Sequence, residues 1–432
     1  MEKQKLRFAN KISRSAEAVL TALEKGENLP SSMAYFIDLM RTIFCRNDIT
    51  PSLGSNVSDH TPIIGIYCMM VPEELIYAAG AVPVRLSGGS YEGSSIGDEM
   101  VPRDTCPVVK ASIGCTQLGV PSLYEACDVI IVPTTCDSKR KMAEELSKFT
   151  TVWTIEVPHL KDDEMLREIW YENIFRLKNN LEEHTGNRIS RKSLRDAIAL
   201  FGRAQNQARR LYDYRMRPKP VIFGKEAALA MHSFAFDNAR EWTAAMARLN
   251  DELSIRCNEG YFVCPEKSPR IMLASCPSVF PNWKLPLLIE EMGGVIVVDE
   301  SCLGDRYLYD PVGITETTMR EMLSALASRY IMPCVCPSFS PNEDRLYRLA
   351  EMARAFNIDG IVYHILKGCI IYDFELDRVE ESMKALGIPV VRIETDYNPE
   401  DIEQLRTRIE AFIEVLKGKK KGVASLEILR GD

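Results

Sequence analysis

Hydrophobic and polar positions repeat with two different periods along the chain, and this pattern divides it into four parts. Residues 1–58 begin with two patterns of helical period and end in a loop-like stretch. Residues 59–158 and 266–432 each contain short apolar runs separated by amphipathic helical patterns. Residues 159–265 are helical throughout. We therefore predict an N-terminal helical segment, a first α/β domain, a helical connector and a second α/β domain.

The two alternating parts predict parallel sheets covered by helices on both faces. The predicted strands are "PIIGIYC", "AVPVRL", "DVIIVPTTC" and "VWTIEVP" in the first part, and "RIMLASC", "GVIVVDESC", "GIVYHILKGC" and "PVVRIET" in the second. In the connector, "EAALAMHSFAFDNAREWTAAMARLNDEL" predicts one continuous helix, and "GGSYEGSSIG" in the first part predicts a flexible loop. The fold class is thus α/β, with two Rossmann- or flavodoxin-like domains joined by a helical segment.

Three pairs of cysteines indicate that the two α/β parts are copies of each other. Each member of a pair follows or precedes a similar stretch of sequence, and two of the pairs are separated by 230 and 233 residues. Such nearly constant offsets support an internal duplication. The pairs are Cys68 with Cys276, Cys106 with Cys336, and Cys136 with Cys369.

Composition and charge argue against several classes of protein and of metal site. The net charge of −8 argues against a nucleic-acid-binding protein, and the one basic run, Lys417–Lys421, predicts a solvated helix end. No signal peptide and no apolar run of membrane-spanning length is visible, which predicts a cytoplasmic protein with reduced thiols. Thirteen cysteines are then unusual, and the absence of any C-x-x-C pair argues against zinc knuckles.

Several cysteines follow predicted strands, where open parallel sheets bind their ligands. Cys106 and Cys336 each precede a proline that can open a helix, and helix N-termini favour thiolates. Many thiolates in one cleft select soft metals, so Fe–S clusters, copper(I) and zinc are all candidates. A three-plus-three arrangement suggests something larger than one four-ligand site. We predict one triad from each copy: Cys68, Cys106 and Cys136, and then Cys302, Cys336 and Cys369.

The remaining cysteines are predicted to pack in the core or in helical parts. Cys334 neighbours Cys336 in "PCVCPS", and strand alternation would turn it away from the site. Cys276, Cys115 and Cys127 are kept as reserve ligands. The predicted packing residues are Cys45, Cys115, Cys127, Cys257, Cys264 and Cys334.

Several longer motifs resemble the 2-hydroxyacyl-CoA dehydratase and benzoyl-CoA reductase family. They are "YCMMVPEELIYAAGAVPVRL", "CDSKRKMAEEL", "VVDESCLGDRYLYDPV", "DGIVYHILKGC", "GIPVVRIETDY" and "QLRTRIEAFIEVL". The resemblance implies two α/β domains around an iron–sulfur cluster. It also implies that Cys68, Cys106 and Cys369 are the three cysteines that hold a cubane in the dehydratases.

The additional cysteines resemble the double-cubane cluster protein branch of this family. That resemblance implies an 8Fe-9S cluster of two [4Fe–4S] cubanes bridged by sulfide, each held by three cysteines. It further implies a homodimer that is reduced by an ATP-hydrolysing iron–sulfur protein and passes electrons to small molecules such as acetylene. Cys302 lies in the family motif "DESCLGDR" and is therefore preferred to Cys276.

No phosphate-binding loop is present in the sequence, so the ATP chemistry is assigned to a partner. Two alternatives stay open: a 2-hydroxyacyl-CoA dehydratase subunit with a single [4Fe–4S] cluster, and a non-catalytic electron carrier. Hydrogen bonds to cluster sulfur tune potentials, and four residues are candidates for that outer role. They are His364, Lys367, Arg306 and Tyr67; for His364 a structural role in the core is an equal alternative.

Overall fold

The computed structural model describes residues 2–26, 28–49 and 61–428, with side chains as far as residue 418. Most of the predicted loop before residue 59 lies outside the described residues. The strands are β1 (Ile63–Ile66), β2 (Val82–Arg85), β3 (Val129–Pro133), β4 (Val152–Ile155), β5 (Arg270–Ser275), β6 (Val295–Asp299), β7 (Gly360–Leu366) and β8 (Val390–Thr395). All eight were predicted within a few residues.

Helices precede, separate and follow these strands. The first half of the chain contains α1 (Glu2–Glu24), α2 (Met33–Phe44), α3 (Glu73–Ala78), α4 (Tyr91–Gly97), α5 (Pro107–Leu118), α6 (Ser122–Glu125), α7 (Asp137–Leu146), α8 (Glu164–Thr185) and α9 (Arg191–Met216). The second half contains α10 (Gly224–Ser233), α11 (Ala239–Asn258), α12 (Lys284–Glu291), α13 (Met319–Ile331), α14 (Glu343–Ala355), α15 (Ile370–Ala385) and α16 (Ile402–Ile428).

Two four-stranded, all-parallel sheets confirm the predicted fold class. Their strand orders are β2-β1-β3-β4 and β6-β5-β7-β8, which is the same order in each half. In both sheets the carboxyl ends of the strands lie along one edge, where the cysteine-bearing loops begin. The residue limits predicted for the four parts of the chain remain predictions.

Hydrogen bonds at the sheet edges align the two copies residue by residue. The Ile63 backbone N–H donates to Asp128 Oδ2 at 2.7 Å, and the Arg270 N–H donates to Asp359 Oδ2 at the same distance. Counting from these positions, the counterpart of Cys68 is Ser275, and both have left-handed backbones, with φ of 72° and 90°. The predicted match of Cys68 with Cys276 is therefore wrong by one residue.

Alternating apolar residues place helices on both faces of the second sheet. Ile271 and Leu273 pack with α12 and α16 on one face, while Met272 and Ala274 pack with α14 and α15 on the other. A buried parallel strand needs apolar residues on both of its sides, which explains why its sequence is a continuous apolar run.

The connector is helical as predicted, but its last helix is interrupted. Ser190 caps α9 through a capping box with Ser193, as expected from the sequence. The stretch predicted as one helix is instead α10, a short 3₁₀ turn and α11, because Asn238 caps α11 through its side chain. The apolar periodicity continues across this break and conceals it.

The glycine-rich stretch at 88–97 is not the flexible loop that was predicted. Ser90 caps α4, which packs tightly against α5. A Cβ at Gly97 would lie 2.2 Å from the Lys110 carbonyl oxygen, and one at Gly114 would lie 2.1 Å from the Gly93 oxygen. These glycines therefore permit close helix packing.

Helix α13, which the apolar periodicity did not predict, packs on α8. The Trp170 Nε1–H group of α8 donates a hydrogen bond to the Ala327 carbonyl oxygen of α13.

Replacing Gly114 with alanine is expected to lower the free energy of unfolding by about 1–3 kcal/mol, because the new methyl group would collide with the α4 backbone. Gly202 is the matched control, since it lies within α9 and a Cβ added there would have nothing within 4 Å. Gly202→Ala should instead stabilise by roughly 0.5–1 kcal/mol. Urea unfolding of both variants measures the difference; equal effects would contradict the assigned packing.

Helix α16 continues to Ile428, well beyond its predicted end at Leu416. Asn398 caps the 3₁₀ turn that leads into it, as predicted. The basic run Lys417–Lys421 thus lies within the helix and not at its end, and its side chains beyond residue 418 are outside the described residues. No helix in the described part is long and apolar enough to cross a bilayer.

Candidate metal centre

All thirteen cysteines are free thiols in the structure, as the sequence predicted. Seven of them come together at the carboxyl edges of the two sheets, in two groups. The three-thiol group contains Cys106, Cys276 and Cys369. The four-thiol group contains Cys68, Cys136, Cys302 and Cys336. Each group draws residues from both halves, so the predicted division into one triad per half is not the arrangement found.

The three-thiol group is built where two helices begin. Cys106 precedes α5 and Cys369 precedes α15, and backbone N–H groups of the first helical turns point at both sulfurs. Gly368 brings the two halves into contact, because a Cβ there would lie 2.2 Å from the Asp104 carbonyl oxygen. The hydrogen bond with Cys369, together with burial, raises the pKa of the Cys106 thiol well above its ordinary value.

Cys276 completes the three-thiol group by interacting with Cys369. Its backbone carbonyl accepts a hydrogen bond of 2.8 Å from Nδ1 of His364, which defines the tautomer of that buried ring. Burial lowers the pKa of His364 to about 4, so the imidazole is neutral. His364 therefore anchors the backbone beside a candidate ligand, and its predicted outer role toward cluster sulfur remains a prediction.

All four thiols of the four-thiol group interact electrostatically with the ammonium of Lys139 in α7. Burial disfavours this charge, yet the four thiol groups together raise the pKa of Lys139. Its Nζ donates a hydrogen bond to Thr135 Oγ1 at 3.0 Å and also hydrogen-bonds to the Cys68 sulfur. Burial alone would raise the pKa of Cys68, but Lys139, Arg85 and the Met70 backbone N–H lower it below the usual thiol range. Cys68 is thus disposed to be a thiolate.

Arg85, at the end of β2, adds a second cation to this group. It is 3% exposed, and its Nη1 has no hydrogen-bond partner among the described residues. Burial disfavours its charge, while Tyr307, Cys302 and Cys68 favour it and raise its pKa. Neither Arg85 nor Lys139 forms an ion pair with a described carboxylate. Buried cations are ordinarily paired, so the buried Arg85, with the half-buried Lys139 beside the same thiols, indicates that negative charge belongs there.

The "DESCLGDR" segment holds Cys302 in a rigid turn. Asp305 accepts from the Asp299 N–H at 2.9 Å and forms a buried ion pair of 2.9 Å with Arg215. A Cβ at Gly304 would lie 2.5 Å from the Asp299 carboxyl carbon, so only glycine fits there. The turn explains how a residue after an edge strand reaches the thiols of the other half.

Glu300 and Arg306 form the floor behind this turn. Both are buried, and Arg306 Nε lies 3.4 Å from Glu300 Oε1. Arg345 binds the other Glu300 oxygen at 3.1 Å. Against the effect of burial, Glu300, Tyr372, Cys302 and Cys336 raise the pKa of Arg306. The structure thus places Arg306 beside the four-thiol group, where the sequence predicted an outer role for it.

Two predictions about the "PCVCPS" stretch are wrong. Pro337 opens a turn and no helix, since α14 begins only at Glu343, so Cys336 does not face a helix N-terminus. Cys334 is not turned away, because residues 334–336 form no strand. Burial raises the pKa of Cys334, and its thiol interacts with Cys68 and Cys336. Cys334 therefore borders the four-thiol group.

The other cysteines lie away from both groups. Cys127 donates to the Leu123 carbonyl at 3.0 Å, and Cys115 packs against Gly93 between α4 and α5. Cys45 follows α2, and its thiol contacts the Ser13 carbonyl oxygen. Cys257 is in α11, and its thiol lies near the Arg217 guanidinium. Cys264 is half-buried in the loop before β5.

Two predicted outer residues are less close to the thiols. Tyr67 is buried against Ser112 and Thr116 of α5, and burial raises the pKa of its hydroxyl. Lys367 is exposed and forms an ion pair of 2.7 Å with Asp396. It lines a polar cleft of about 1010 Å³ whose wall includes Gly368, next to the three-thiol group.

The donor chemistry of both groups fits an iron–sulfur cofactor, because thiolates are the ligands that such clusters use. No three His, Cys, Asp or Glu side chains within the described ranges converge as ligands of one metal ion. A cluster of several irons spans more space than one ion and needs thiolates that stand farther apart. An anionic cluster would suit this region for three reasons. The thiols are soft ligands, and helices begin directly after Cys106, Cys136 and Cys369. In addition, Arg85 and Lys139 have no carboxylate partner among the described residues.

Comparison with known proteins identifies the family of this chain. The family model of the 2-hydroxyglutaryl-CoA dehydratase D-component matches residues 68–416. An Escherichia coli protein with the provisional name dehydratase subunit YjiM is 33% identical over 362 residues, covering 82% of this chain and 91% of that protein. The beta subunits of (R)-phenyllactyl-CoA dehydratase from Clostridium sporogenes and (R)-2-hydroxyglutaryl-CoA dehydratase from Acidaminococcus fermentans are 24% and 22% identical, covering 82% of this chain and 91% and 92% of theirs. The chain therefore belongs to the 2-hydroxyacyl-CoA dehydratase and benzoyl-CoA reductase family.

Proposed function

We propose that this chain is the reductase component of a cytoplasmic iron–sulfur system that reduces small molecules such as acetylene at a double-cubane cluster. The observation that carries the proposal is the presence of seven thiols in two groups, one of them beside cations that have no carboxylate partner among the described residues. One cubane held by three cysteines would leave the second group and its cations without a role. A family member with both groups is better explained by a larger cluster.

Six thiolates would hold such a cofactor, three on each cubane. Cys106, Cys276 and Cys369 would bind one side, and three members of the four-thiol group would bind the other. This set adds Cys276 to the six ligands predicted from the sequence and leaves one thiol of the four in reserve. When bound, the cofactor supplies one-electron transfer at low potential.

The surrounding residues make that electron transfer less costly. Arg85, Lys139 and Arg306 place positive charge where each added electron would increase the negative charge. Helix N-termini at Cys106, Cys136 and Cys369 favour thiolates over thiols. Cys68 and Cys106 are half-buried, so the surrounding protein limits the contact of their side chains with bulk water and thereby the loss of electrons to solvent.

The electrons are proposed to come from a separate ATP-hydrolysing iron–sulfur activator that docks transiently on a homodimer of this chain. This chain carries no recognisable phosphate-binding loop, which supports placing ATP hydrolysis on the partner. A homodimer would offer a symmetric activator two equivalent sites.

A dehydratase subunit with a single [4Fe–4S] cluster is the second candidate. The names of two relatives, both beta subunits of acyl-CoA dehydratases, favour it. That function would require a different partner subunit and an acyl-CoA substrate. It would also require that one of the two thiol groups remain unused.

The anaerobically prepared protein is expected to contain about eight iron atoms per chain, twice the number in one [4Fe–4S] cluster, with equivalent sulfide and no zinc. With activator and chemical reductant present, acetylene reduction should depend on ATP. Iron and acid-labile sulfide analysis, followed by gas chromatography with and without ATP, tests both statements. About four irons per chain would support the dehydratase function, and a full cluster that turns over no substrate would support an electron carrier.

A further inference from the structure

The buried carboxyl group of Glu73 lies near Arg85, and Arg85 in turn interacts with Cys68 and Cys302 of the four-thiol group. Glu73 begins α3, is 5% exposed, and forms no ion pair with a described cation. Its Oε1 accepts a hydrogen bond from the Tyr307 hydroxyl. The Arg85 guanidinium lies over the same Tyr307 ring, 4.3 Å from its centroid. Tyr307 thus separates the carboxyl from the cation and contacts both.

Arg85 interacts electrostatically with groups on both of its sides. The charges of Tyr307, Cys302, Cys68 and Glu73 all favour its protonated form. Arg85 also affects the buried ring of His232. Burial and, to a smaller extent, the charge of Arg85 lower the pKa of His232 to about 3, so this ring is neutral. Negative charge near Cys68 or Cys302 and negative charge on Glu73 therefore compete for one cation in a water-poor region.

Glu73 is also able to change its charge near neutral pH. Burial raises the pKa of its carboxyl to about 7, although the Tyr307 hydrogen bond and Arg85 oppose that rise. Ionisable groups face Glu73 from the elements packed against it and from its own helix. They are Tyr307 and Arg85, then Arg329 and Tyr330 from α13, and Glu74 and Tyr77 from its own helix.

We propose that Glu73 takes up a proton from solvent when an electron enters the centre beside Cys68 and Cys302. This inference rests on the proposed function, because an external electron donor must supply the electron. The carboxylate becomes a carboxylic acid, the centre gains one negative charge, and the total charge of the buried region stays constant. Glu73 does not contact the centre itself. It acts through Arg85 by balancing the added charge, and it is therefore a positioning residue and not a catalytic one.

The sign of the effect follows from linkage. Added negative charge raises the pKa of Glu73 above its value of about 7 in the oxidised protein. Below about pH 7 the carboxyl is already protonated, so reduction takes up no proton. Above about pH 7 it takes up one, and reduction becomes less favourable as the pH rises. The reduced-to-oxidised ratio at a fixed potential should then fall by up to about tenfold per pH unit.

Glu74 provides a matched control on the same helix. It is fully buried, and its Oε2 accepts a hydrogen bond of 2.6 Å from the Tyr330 hydroxyl, as Glu73 does from Tyr307. Arg329 lies over the Tyr330 ring at 4.3 Å. Arg329 donates to carbonyl oxygens of the 307–310 segment, and the charges that act on it most strongly are those of Tyr330, Glu74, Asp310 and Glu73. The two Glu–Tyr–Arg sets thus have the same chemistry, but only one of them reaches the four-thiol group.

The experiment compares the loaded wild-type protein with Glu73→Gln and Glu74→Gln. Each is equilibrated with a europium(II) chelate and mediator dyes at one fixed potential, from pH 6 to pH 9, and cluster absorbance reports the reduced fraction. Glu73→Gln should be independent of pH and more reduced than wild type at pH 9, with both equal at pH 6. Glu74→Gln should keep the pH dependence, with its onset moved to lower pH because the Glu74 charge helps to raise the pKa of Glu73. The same pH dependence in Glu73→Gln and wild type would overturn the proposal.

Two further measurements keep the result interpretable. Tyr307→Phe removes a hydrogen bond that stabilises the carboxylate, so the onset of pH dependence should move to higher pH; an unchanged onset counts against the proposal. Infrared difference spectra of the oxidised protein between pH 6 and pH 9 should contain a protonated-carboxyl band that Glu73→Gln lacks and Glu74→Gln keeps. A protein that binds no cluster contradicts the proposed function, whereas a loaded protein with a pH-independent wild-type ratio contradicts this inference alone.

Discussion

Cys106→Ala is expected to lose at least about half of the bound iron and the corresponding visible absorbance. Cys106 interacts directly with Cys369, immediately precedes α5, and contributes one of three thiols to its group. Alanine cannot ligate iron, and no other cysteine of the described part lies at that helix start. Iron and sulfide analysis after anaerobic reconstitution measures the loss. The same result is expected for Cys369→Ala, and for Cys68→Ala or Cys336→Ala in the four-thiol group.

Cys115 is the matched control for this experiment. It is on the same helix, is 1% exposed, and packs against Gly93 without contacting either thiol group. Cys115→Ala should therefore keep its iron even if it lowers stability. Cys45→Ala and Cys257→Ala should also retain a full load. Equal iron in Cys106→Ala and Cys115→Ala would refute the ligand assignment.

Arg215→Met should lower the free energy of unfolding by about 3–5 kcal/mol. The Arg215 and Asp305 side chains are 1% and 2% exposed and 2.9 Å apart, so removing the cation leaves a buried carboxylate without its partner. Burial already raises the pKa of Asp305, and Arg215 opposes that rise. Urea unfolding of the metal-free protein measures the effect without a contribution from cluster binding.

An exposed ion pair and a double variant complete this test. Arg46 and Asp38 are 59% and 63% exposed, so Arg46→Met should change stability by no more than about 1 kcal/mol. Arg215→Met combined with Asp305→Leu should recover part of the loss, because no buried charge remains. Equal losses from Arg215→Met and Arg46→Met would show that the buried pair does not stabilise the turn that carries Cys302.

Local patterns were sufficient for the fold because each strand and long helix has its own periodicity. The eight strands and helices such as α5 and α9 lie where the sequence placed them. Errors occurred where tertiary contacts override local composition. The glycines of α4 suggest a loop when read alone, but they are required by close packing against Gly114 and Lys110. The break before α11 is set by Asn238 capping, within an uninterrupted apolar pattern.

The candidate site was likewise predictable in part from the local sequence and decided in part by the tertiary structure. The sequence alone determined that cysteines follow strand ends in two copies of one domain, and therefore that thiols collect in one cleft. Only the tertiary structure decided which thiols meet, because Cys106, Cys276 and Cys369 lie far apart in the chain and are joined by contact between the halves at Gly368. The lack of a carboxylate partner for Arg85 and Lys139 within the described part of the chain was likewise invisible in the sequence. A missing partner is a property of the folded surroundings, since burial makes an uncompensated charge costly only once the chain has enclosed it.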